Sequence, residues 1–391
     1  MNLATLSLAT MRGARLTQGL NILLLALGLG TVTLLLLFST SLTNRLVRDA
    51  HGIDLVVGAK GSPLQLVLSA VYEADNPTGN IPAAELKALA ADPLIARAIP
   101  LALGDAVGAF RIVGTTQDYL ALYNGTLSAG TLWHAPMEAV LGAEAAQLLH
   151  LAPGDHFVGA HGVGGEGEHH GAFPYTVTGV LTPTGTVLDR LVLTSVDSVW
   201  QIHAHHMQPG APREITAVLL QARSPLALIS LPHQINSTTP YLAAVPGVEA
   251  ARLVTLLGAG MGAFRALAWI LIAASTLGML IALLSRLRER RHDLAVLRLL
   301  GASPAQLLAS VLLEALALAA CGAACGLLLG HAGAAALAAL SGNAFATVPL
   351  VPVATEWRIL PLAAGTACAA AIIPAITAYR TDVSAALAGG A

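Results

Sequence analysis

Side chains that bind transition metals are concentrated in two short runs of the sequence. His161-Gly-Val-Gly-Gly-Glu-Gly-Glu-His-His170 is a glycine-rich run with two carboxylates, and His203-Ala-His-His206 follows Trp200. Imidazole and carboxylate ligands at short spacing suit Zn²⁺, Cu²⁺ or Ni²⁺. The spacing matches no closed zinc motif, so solvated loops without a metal are the alternative interpretation. The candidate metal ligands are His161, His169, His170, His203, His205 and His206.

Two kinds of enzyme site are not supported by the sequence. A phosphate-binding P-loop requires Gly-x-x-x-x-Gly-Lys-Ser/Thr, but the two lysines, Lys60 and Lys87, do not follow a glycine. A Gly-x-Ser-x-Gly nucleophile elbow is also missing, which argues against a hydrolase of that type. We therefore predict that the chain is not an enzyme and that zinc is its one candidate cofactor.

A charged run between two apolar stretches is the third chemical feature. Arg286-Leu-Arg-Glu-Arg-Arg-His-Asp293 is followed by Leu294-Ala-Val-Leu-Arg-Leu-Leu-Gly-Ala-Ser303. On a helix, Leu294, Leu297 and either Leu300 or Gly301 form a narrow apolar stripe beside a charged face. Such a short amphipathic helix is suited to binding a cytoplasmic partner. The alternative is a topology signal without a partner, because basic loops remain in the cytoplasm.

The composition indicates a membrane protein. Hydrophobic residues make up 55% of the 391-residue chain and charged residues only 11%, against about a quarter charged in soluble domains. The net charge of −2 provides no basic surface for nucleic acid. The three cysteines, Cys321, Cys325 and Cys368, lie in predicted membrane spans, so we expect no disulfide framework.

Four segments reach the length of about 20 apolar residues that a membrane helix needs. Arginines precede the first span, follow the second span and follow the fourth, which predicts a cytoplasmic location for both termini. We therefore predict an α-helical membrane protein with four transmembrane helices (1+3) and a large α+β extracytoplasmic domain between the first and second. The predicted segments are a cytoplasmic N-terminus (1–18), transmembrane helix 1 (19–41), the extracytoplasmic domain (42–262), transmembrane helix 2 (263–285), a cytoplasmic coupling helix (286–303), transmembrane helix 3 (304–331), a short extracytoplasmic loop (332–358), transmembrane helix 4 (359–379) and a cytoplasmic C-terminus (380–391).

The extracytoplasmic domain mixes helix and strand patterns. Segments 82–90, 138–149 and 224–235 are predicted to be helical. Apolar or β-branched runs between turn residues predict strands near 109–114, 175–181, 190–194 and 214–221. We predict a mixed domain in two parts.

The arrangement resembles the FtsX/MacB/LolC-type permeases of ABC transporters. The resemblance is strongest at Arg290-Arg-His-Asp-Leu-Ala-Val-Leu-Arg-Leu-Leu-Gly-Ala-Ser303, which is similar to the family's Arg-x-x-Glu-Ile-x-x-Leu-Arg-x-x-Gly-Ala run. Asp293 stands where the family usually has glutamate. The resemblance continues from Gln306 to Glu314 and through Ile373-Pro-Ala-Ile-Thr-Ala-Tyr-Arg380. It covers about the last 130 residues well and is weak across the extracytoplasmic domain.

The resemblance implies a permease subunit that couples ATP hydrolysis by a separate cytoplasmic ATPase to movement or export of an extracytoplasmic substrate, by mechanotransmission. It implies two ATPase copies that carry ATP and Mg²⁺, a homodimer or a paralogous second permease, surrounding lipid, and a periplasmic or lipoprotein partner. The implied location is the bacterial inner membrane. The residues that would contact the ATPase are Arg290, Arg291, Asp293, Leu294, Leu297, Arg298, Gly301 and Ala302.

Two other functions fit the same residues. A metal- or pH-sensing membrane protein would use the histidines without transport. A regulator would use ATP-driven motion to activate an extracytoplasmic enzyme. The substrate could be a lipoprotein, peptide, lipid, drug or metal.

Overall fold

The computed structural model describes residues 15–162, 173–203, 212–289, 296, 298–340 and 354–379. They form two compact units, residues 1–42 with 256–391 (the membrane unit) and residues 43–255 (the intervening domain). The helices among the described residues are α1 (Arg15–Asp49), α2 (Pro63–Ala70), α3 (Ala84–Ala90), α4 (Asp118–Leu122), α5 (Ala143–Leu149), α6 (Val196–His203), α7 (Ala227–Thr238), α8 (Pro246–Glu289), α9 (Pro304–Leu340) and α10 (Ile359–Tyr379), with 3₁₀ turns at Val187–Arg190 and Ala354–Arg358.

Four of these helices are long and apolar enough to cross a membrane, which confirms the predicted count and the 1+3 order. Helices α1, α8 and α9 are longer than the predicted spans, whereas α10 coincides with the predicted span 359–379. Helix α8 has 44 residues, or about 66 Å at 1.5 Å per residue, roughly twice the bilayer's hydrocarbon thickness. Helix α9 continues to Leu340, so the first part of the predicted loop 332–358 is helical. The periodic apolar pattern located the helices, but hydropathy alone does not mark where a helix leaves the lipid.

Small residues bring helices α1 and α9 into close contact. Gly322, Gly326 and Gly330 recur at four-residue intervals on α9 and face α1. A Cβ atom on Gly326 would lie 2.9 Å from Leu29 Cβ and 3.1 Å from the Ala26 carbonyl oxygen. Without a hydrophobic driving force between helices in lipid, such close backbone approach supplies the van der Waals contact that holds them together.

The strands among the described residues of the intervening domain are β1 (Leu55–Ala59), β2 (Ile81–Pro82), β3 (Ile95–Val107), β4 (Phe110–Thr115), β5 (Leu127–Gly130), β6 (Glu138–Leu141), β7 (His156–Phe157), β8 (Ala160–His161), β9 (Tyr175–Leu181), β10 (Leu191–Ser195), β11 (Glu214–Ile215), β12 (Ala217–Ala222) and β13 (Tyr241–Ala244). The domain is built on a mixed sheet with strand order β13-β1-β12-β3-β4-β10-β6-β9-β5, in which β7 also pairs with β9 and β8 with β3, and β11 pairs with β2 in a separate two-stranded sheet. The β10–β4 and β6–β9 pairs are parallel, and the remaining pairs of the large sheet are antiparallel.

Two hydrophobic cores support the domain. One includes Leu55, Val218 and Leu231, where helix α7 covers strands β1 and β12. The other includes Ile112, Tyr175 and Ile202, where α6 covers the part of the sheet that holds β4 and β9. The predicted mixed character is confirmed.

One element prediction in this domain was wrong. Residues 138–149 were predicted as a single helix, but Glu138–Leu141 is a strand and only Ala143–Leu149 is helical. Gly142 separates the two elements with extended dihedral angles, and strand β6 is held between β10 and β9. Tertiary pairing therefore overrides the helix propensity of an alanine-rich segment.

Candidate functional site

Three metal-binding side chains from separate elements meet in the intervening domain. Asp105 lies in strand β3, His161 in the short strand β8 and His203 at the last position of helix α6. One ligand atom from each residue lies within 4.8 Å of the others. The two histidines belong to the two runs that the sequence singled out, and the structure brings these two residues together.

A β-bulge positions Asp105. The pairing register between β3 and β4 shifts between Leu103 and Asp105, and Gly104 lies at the irregularity. Strand β3 also pairs with β8, in an antiparallel ladder that places Asp105 opposite His161. Next to this pair, the Gly162 N–H donates a hydrogen bond to the Gly104 carbonyl. Bulges re-aim side chains next to functional sites, and this one places a carboxylate opposite an imidazole.

Helix α6 supplies the third residue. It begins after Ser195, whose Oγ accepts a hydrogen bond from the Ser198 N–H, an N-cap arrangement. Buried Val199 and Ile202 fix its rotation against the sheet. The anchored helix therefore fixes the position and direction of the His203 side chain at its last residue.

The distances suit a shared cation. Nδ1 of His161 lies 3.0 Å from Oδ1 of Asp105, and Nε2 of His203 lies 3.8 Å from the same oxygen. The two imidazole ring centroids are 4.9 Å apart and tilted by 47°. Ligand atoms around a tetrahedral Zn²⁺ lie about 3.3 Å from one another, given metal–ligand distances of about 2.0–2.2 Å.

The three side chains differ in exposure. The side chain of Asp105 is 2% exposed, whereas those of His161 and His203 are 41% and 25% exposed. The carboxylate is therefore held at the base of the cluster, and the imidazoles are open to solvent. A solvent-borne ion has access through the histidines.

A buried ion pair lies beside this cluster. Arg111 lines the same small cleft as Asp105 and contacts Glu73 Oε2 at 3.1 Å and the Asp75 carbonyl at 2.6 Å. Burial raises the pKa of the Glu73 carboxyl to about 7, and the Arg111 guanidinium opposes that rise. The sequence analysis identified neither this pair nor Asp105.

Most of the other candidate residues lie outside the part of the chain that the structure describes. His169, His170, His205 and His206 lie outside the described residues. The same holds for Arg290, Arg291, Asp293, Leu294 and Leu297 of the predicted ATPase contact. Arg298, Gly301 and Ala302 are described.

The described part of the segment between α8 and α9 ends in a defined turn. Gly301 has φ +97°, a conformation that glycine adopts without a steric penalty, and its N–H donates to the Arg298 carbonyl. Ser303 and Gln306 then cap helix α9 reciprocally, with the Ser303 N–H on Gln306 Oε1 and the Gln306 N–H on Ser303 Oγ. This is a capping-box arrangement.

Apolar side chains of this segment are exposed. Val296 is 38% exposed, Leu299 64% and Leu300 80%. Spaced i, i+3 and i+4, they lie on one side of the segment. Leu300 is a member of the predicted apolar stripe, and Val296 and Leu299 add exposed apolar surface beside it.

Two family models match the chain and together cover most of it. The model described as FtsX-like permease C-terminal matches residues 265–383, and the MacB-like periplasmic core domain matches residues 19–237, more than half of the chain. The chain belongs to the FtsX/MacB-type family of ABC transporter permeases. This FtsX/MacB-type permease is therefore a multi-pass transporter subunit, as its motifs predicted.

Solved structures similar to this permease are periplasmic or extracellular domains. The crystal structure of the periplasmic region of MacB from Actinobacillus actinomycetemcomitans is 12% identical, with 53% of this chain and 97% of that chain covered and a TM-score of 0.36. The extracellular domain of the noncanonic ABC-type transporter YknZ from Gram-positive bacteria is also 12% identical, covers 49% of this chain and 98% of its own, and has a TM-score of 0.32. No curated protein matches the permease.

Proposed function

We propose that this permease works with a separate cytoplasmic ATPase and transmits the ATPase's motion to the intervening domain, which moves an extracytoplasmic substrate. In this proposal two permease chains and two ATPase chains assemble in a bacterial inner membrane, with both permease termini in the cytoplasm. The intervening domain is then periplasmic. The observation that carries the proposal is the exposed apolar face of the segment between α8 and α9.

That face has the chemistry of a docking surface. Leu300 is 80% exposed and Leu299 is 64% exposed at the end of two membrane helices, next to a run rich in arginine. Apolar anchors inside a charged rim are the usual anatomy of a specific protein interface. The occupant to which we commit is the cytoplasmic ATPase that the family implies.

The turn that follows the face supports coupling rather than simple tethering. A left-handed glycine and a capping box fix the geometry between Arg298 and helix α9. Movement of the docked face would therefore be passed to α9 rather than lost in a loose linker. Helix α8 is continuous over 44 residues, from Pro246 to Glu289, the last described residue before Val296.

The experiment tests aspartate substitutions at two leucines of the predicted apolar stripe. Leu300→Asp and Leu297→Asp would each be made in the permease co-expressed with the ATPase encoded beside it. Leu340→Asp is the control, because Leu340 is 86% exposed at the far end of α9. We expect Leu300→Asp to reduce the co-purified ATPase at least about 10-fold, since an apolar anchor that an interface buries contributes about 2 kcal/mol or more. Normal ATPase recovery with both Leu297→Asp and Leu300→Asp would contradict the docking assignment.

A metal- or pH-sensing function is the second candidate, because Asp105, His161 and His203 converge in the intervening domain. It differs from the first proposal in requiring no ATPase. Co-purification of an ATPase therefore separates the two candidates.

A further inference from the structure

We propose that Asp105, His161 and His203 form a binding site for one divalent transition-metal ion of the Zn²⁺ type. The site is independent of the proposed ATPase coupling. Two of its ligands come from sequence runs that are rich in histidine, and the third is a buried carboxylate. Three ligand atoms from three elements converge there. The proton on Nδ1 of His203 also leaves the other ring nitrogen, which faces Asp105, with a lone pair.

The hydrogen bond of His203 determines which ring nitrogen faces Asp105. Its Nδ1 lies 2.8 Å from the carbonyl oxygen of Val199. A carbonyl only accepts, so Nδ1 must carry the proton and donate it. In the neutral ring, Nε2 then has a lone pair, and Nε2 is the atom that points to the Asp105 carboxylate at 3.8 Å.

A metal ion between this lone pair and the carboxylate would bind both groups, and the Nδ1–H···O=C bond is the contact that metal-binding histidines usually make with their second nitrogen. The alternative is a doubly protonated His203 paired with Asp105. At 3.8 Å the two atoms are too far apart for a good hydrogen bond, which favours the metal over the direct pair.

His161 completes the site through Nδ1. This atom lies 3.0 Å from Asp105 Oδ1. A metal on Nδ1 requires that nitrogen to be unprotonated, so the neutral ring carries its hydrogen on Nε2, which the 41% exposed side chain can present to water. The tilt of 47° between the imidazoles lets both rings direct a nitrogen to one point without stacking.

The ligand set determines the class of ion. Two imidazoles and one carboxylate suit Zn²⁺, Co²⁺, Ni²⁺ or Cu²⁺, whereas Mg²⁺ and Ca²⁺ prefer oxygen ligands. Among the described residues the site has three protein ligands, whereas a closed structural zinc site has four. The partial exposure of both histidines is consistent with a site that takes up and releases its ion.

The test is a metal titration of the full-length permease purified in detergent without an ATPase. After chelator treatment, Zn²⁺ would be titrated in competition with a chromophoric chelator, with Mg²⁺ as the hard-cation control. We expect one Zn²⁺ per chain at this site, and at least about 10-fold weaker binding in Asp105→Asn and in His203→Ala, since even second-shell changes cost 10–100-fold. His233→Ala is the matched control, because His233 is an exposed histidine of α7, and it should bind as the wild type does.

Co²⁺ provides a second readout. We expect weak visible bands typical of nitrogen and oxygen ligands, without the intense near-ultraviolet absorption of cobalt–thiolate bonds that Cys321, Cys325 or Cys368 would produce. If Asp105→Asn does not fold, His161→Ala decides, because its side chain is 41% exposed. Equal Zn²⁺ affinity in the wild type and in all site variants would overturn the proposal, as would equal competition by Mg²⁺. Because no ATPase is present, either result leaves the coupling proposal untouched.

Discussion

Arg286 of helix α8 forms an ion pair with Glu314 of helix α9, and each side chain is only 12% exposed. The two helices are the ones that the proposed docking segment joins. Buried ionisable groups are costly unless they are paired. The pair therefore fixes α8 against α9 directly beside the segment that would receive the motion of the ATPase.

Breaking this pair should destabilise the membrane unit. Glu314→Gln and Arg286→Gln each leave a charge in a poorly solvated place, which costs about 3 kcal/mol. The double variant should lose less stability than the sum of the two single variants, because it leaves no unpaired charge. Thermal unfolding of the detergent-purified permease measures this, with the exposed Arg288→Gln as control. Additive losses would show that the two residues are not coupled.

A side chain at Gly326 should separate helices α1 and α9. Its Cβ would lie 2.9 Å from Leu29 Cβ and close to backbone atoms of Ala26 and Gly30, so Gly326→Val requires the helices to move at a cost of about 1–3 kcal/mol. Gly365→Val in α10 is the control, because no neighbouring atom lies within 4 Å of the position that a Cβ would take there. We expect a lower melting temperature for Gly326→Val alone. Equal melting temperatures would contradict the close α1–α9 contact.

Glu73 should make the intervening domain less stable as the pH rises. Its pKa is raised from 4.5 to about 7, so between these values the folded protein holds a proton that the unfolded chain releases. The contribution of Glu73 to stability is therefore fully present below about pH 4.5 and is lost as the pH rises through about 7, on the order of 3 kcal/mol.

Glu73→Gln keeps the shape of the protonated acid and removes its titration. We expect the stability of the wild type to fall relative to Glu73→Gln between about pH 5 and about pH 8, a range that brackets most of the shift. Hydrogen exchange of peptides covering β4 (Phe110–Thr115), which contains Arg111, measures this after correction for the intrinsic rate at each pH. The exposed Asp118→Asn serves as control. Parallel pH dependences of the wild type and Glu73→Gln would rule out a titration of Glu73 in this range.

The sequence predicted the membrane helices well because their apolar pattern is long and uninterrupted. It predicted some of their ends poorly, since α8 already begins at Pro246 and α9 continues to Leu340. Hydropathy does not distinguish the residues of these two extensions from loop residues. Strands β4, β9 and β10 were predicted from alternation and turn residues. The strand at the start of segment 138–149 was not predicted, because the pairing of β6 with β10 and β9 decides the conformation of those residues.

Two of the three candidate ligands were predicted from the sequence. His161 and His203 were found as members of histidine runs, but their proximity depends on long-range pairing of β8 with β3 that no local pattern encodes. Asp105 was missed although a signal existed, because Gly104-Asp105 interrupts the apolar strand Ile95–Val107. An isolated glycine in a strand indicates a bulge, and a carboxylate next to it indicates where that bulge is used.

The composition of the purified complex tests the central claim most directly. The permease would be purified from cells that co-express the ATPase encoded beside it, and the mass of the intact complex would be measured. The account predicts two permease chains with two copies of a Walker-type ATPase. A permease that purifies without an ATPase, while remaining folded, would contradict the account and leave the segment between α8 and α9 as a topology signal only.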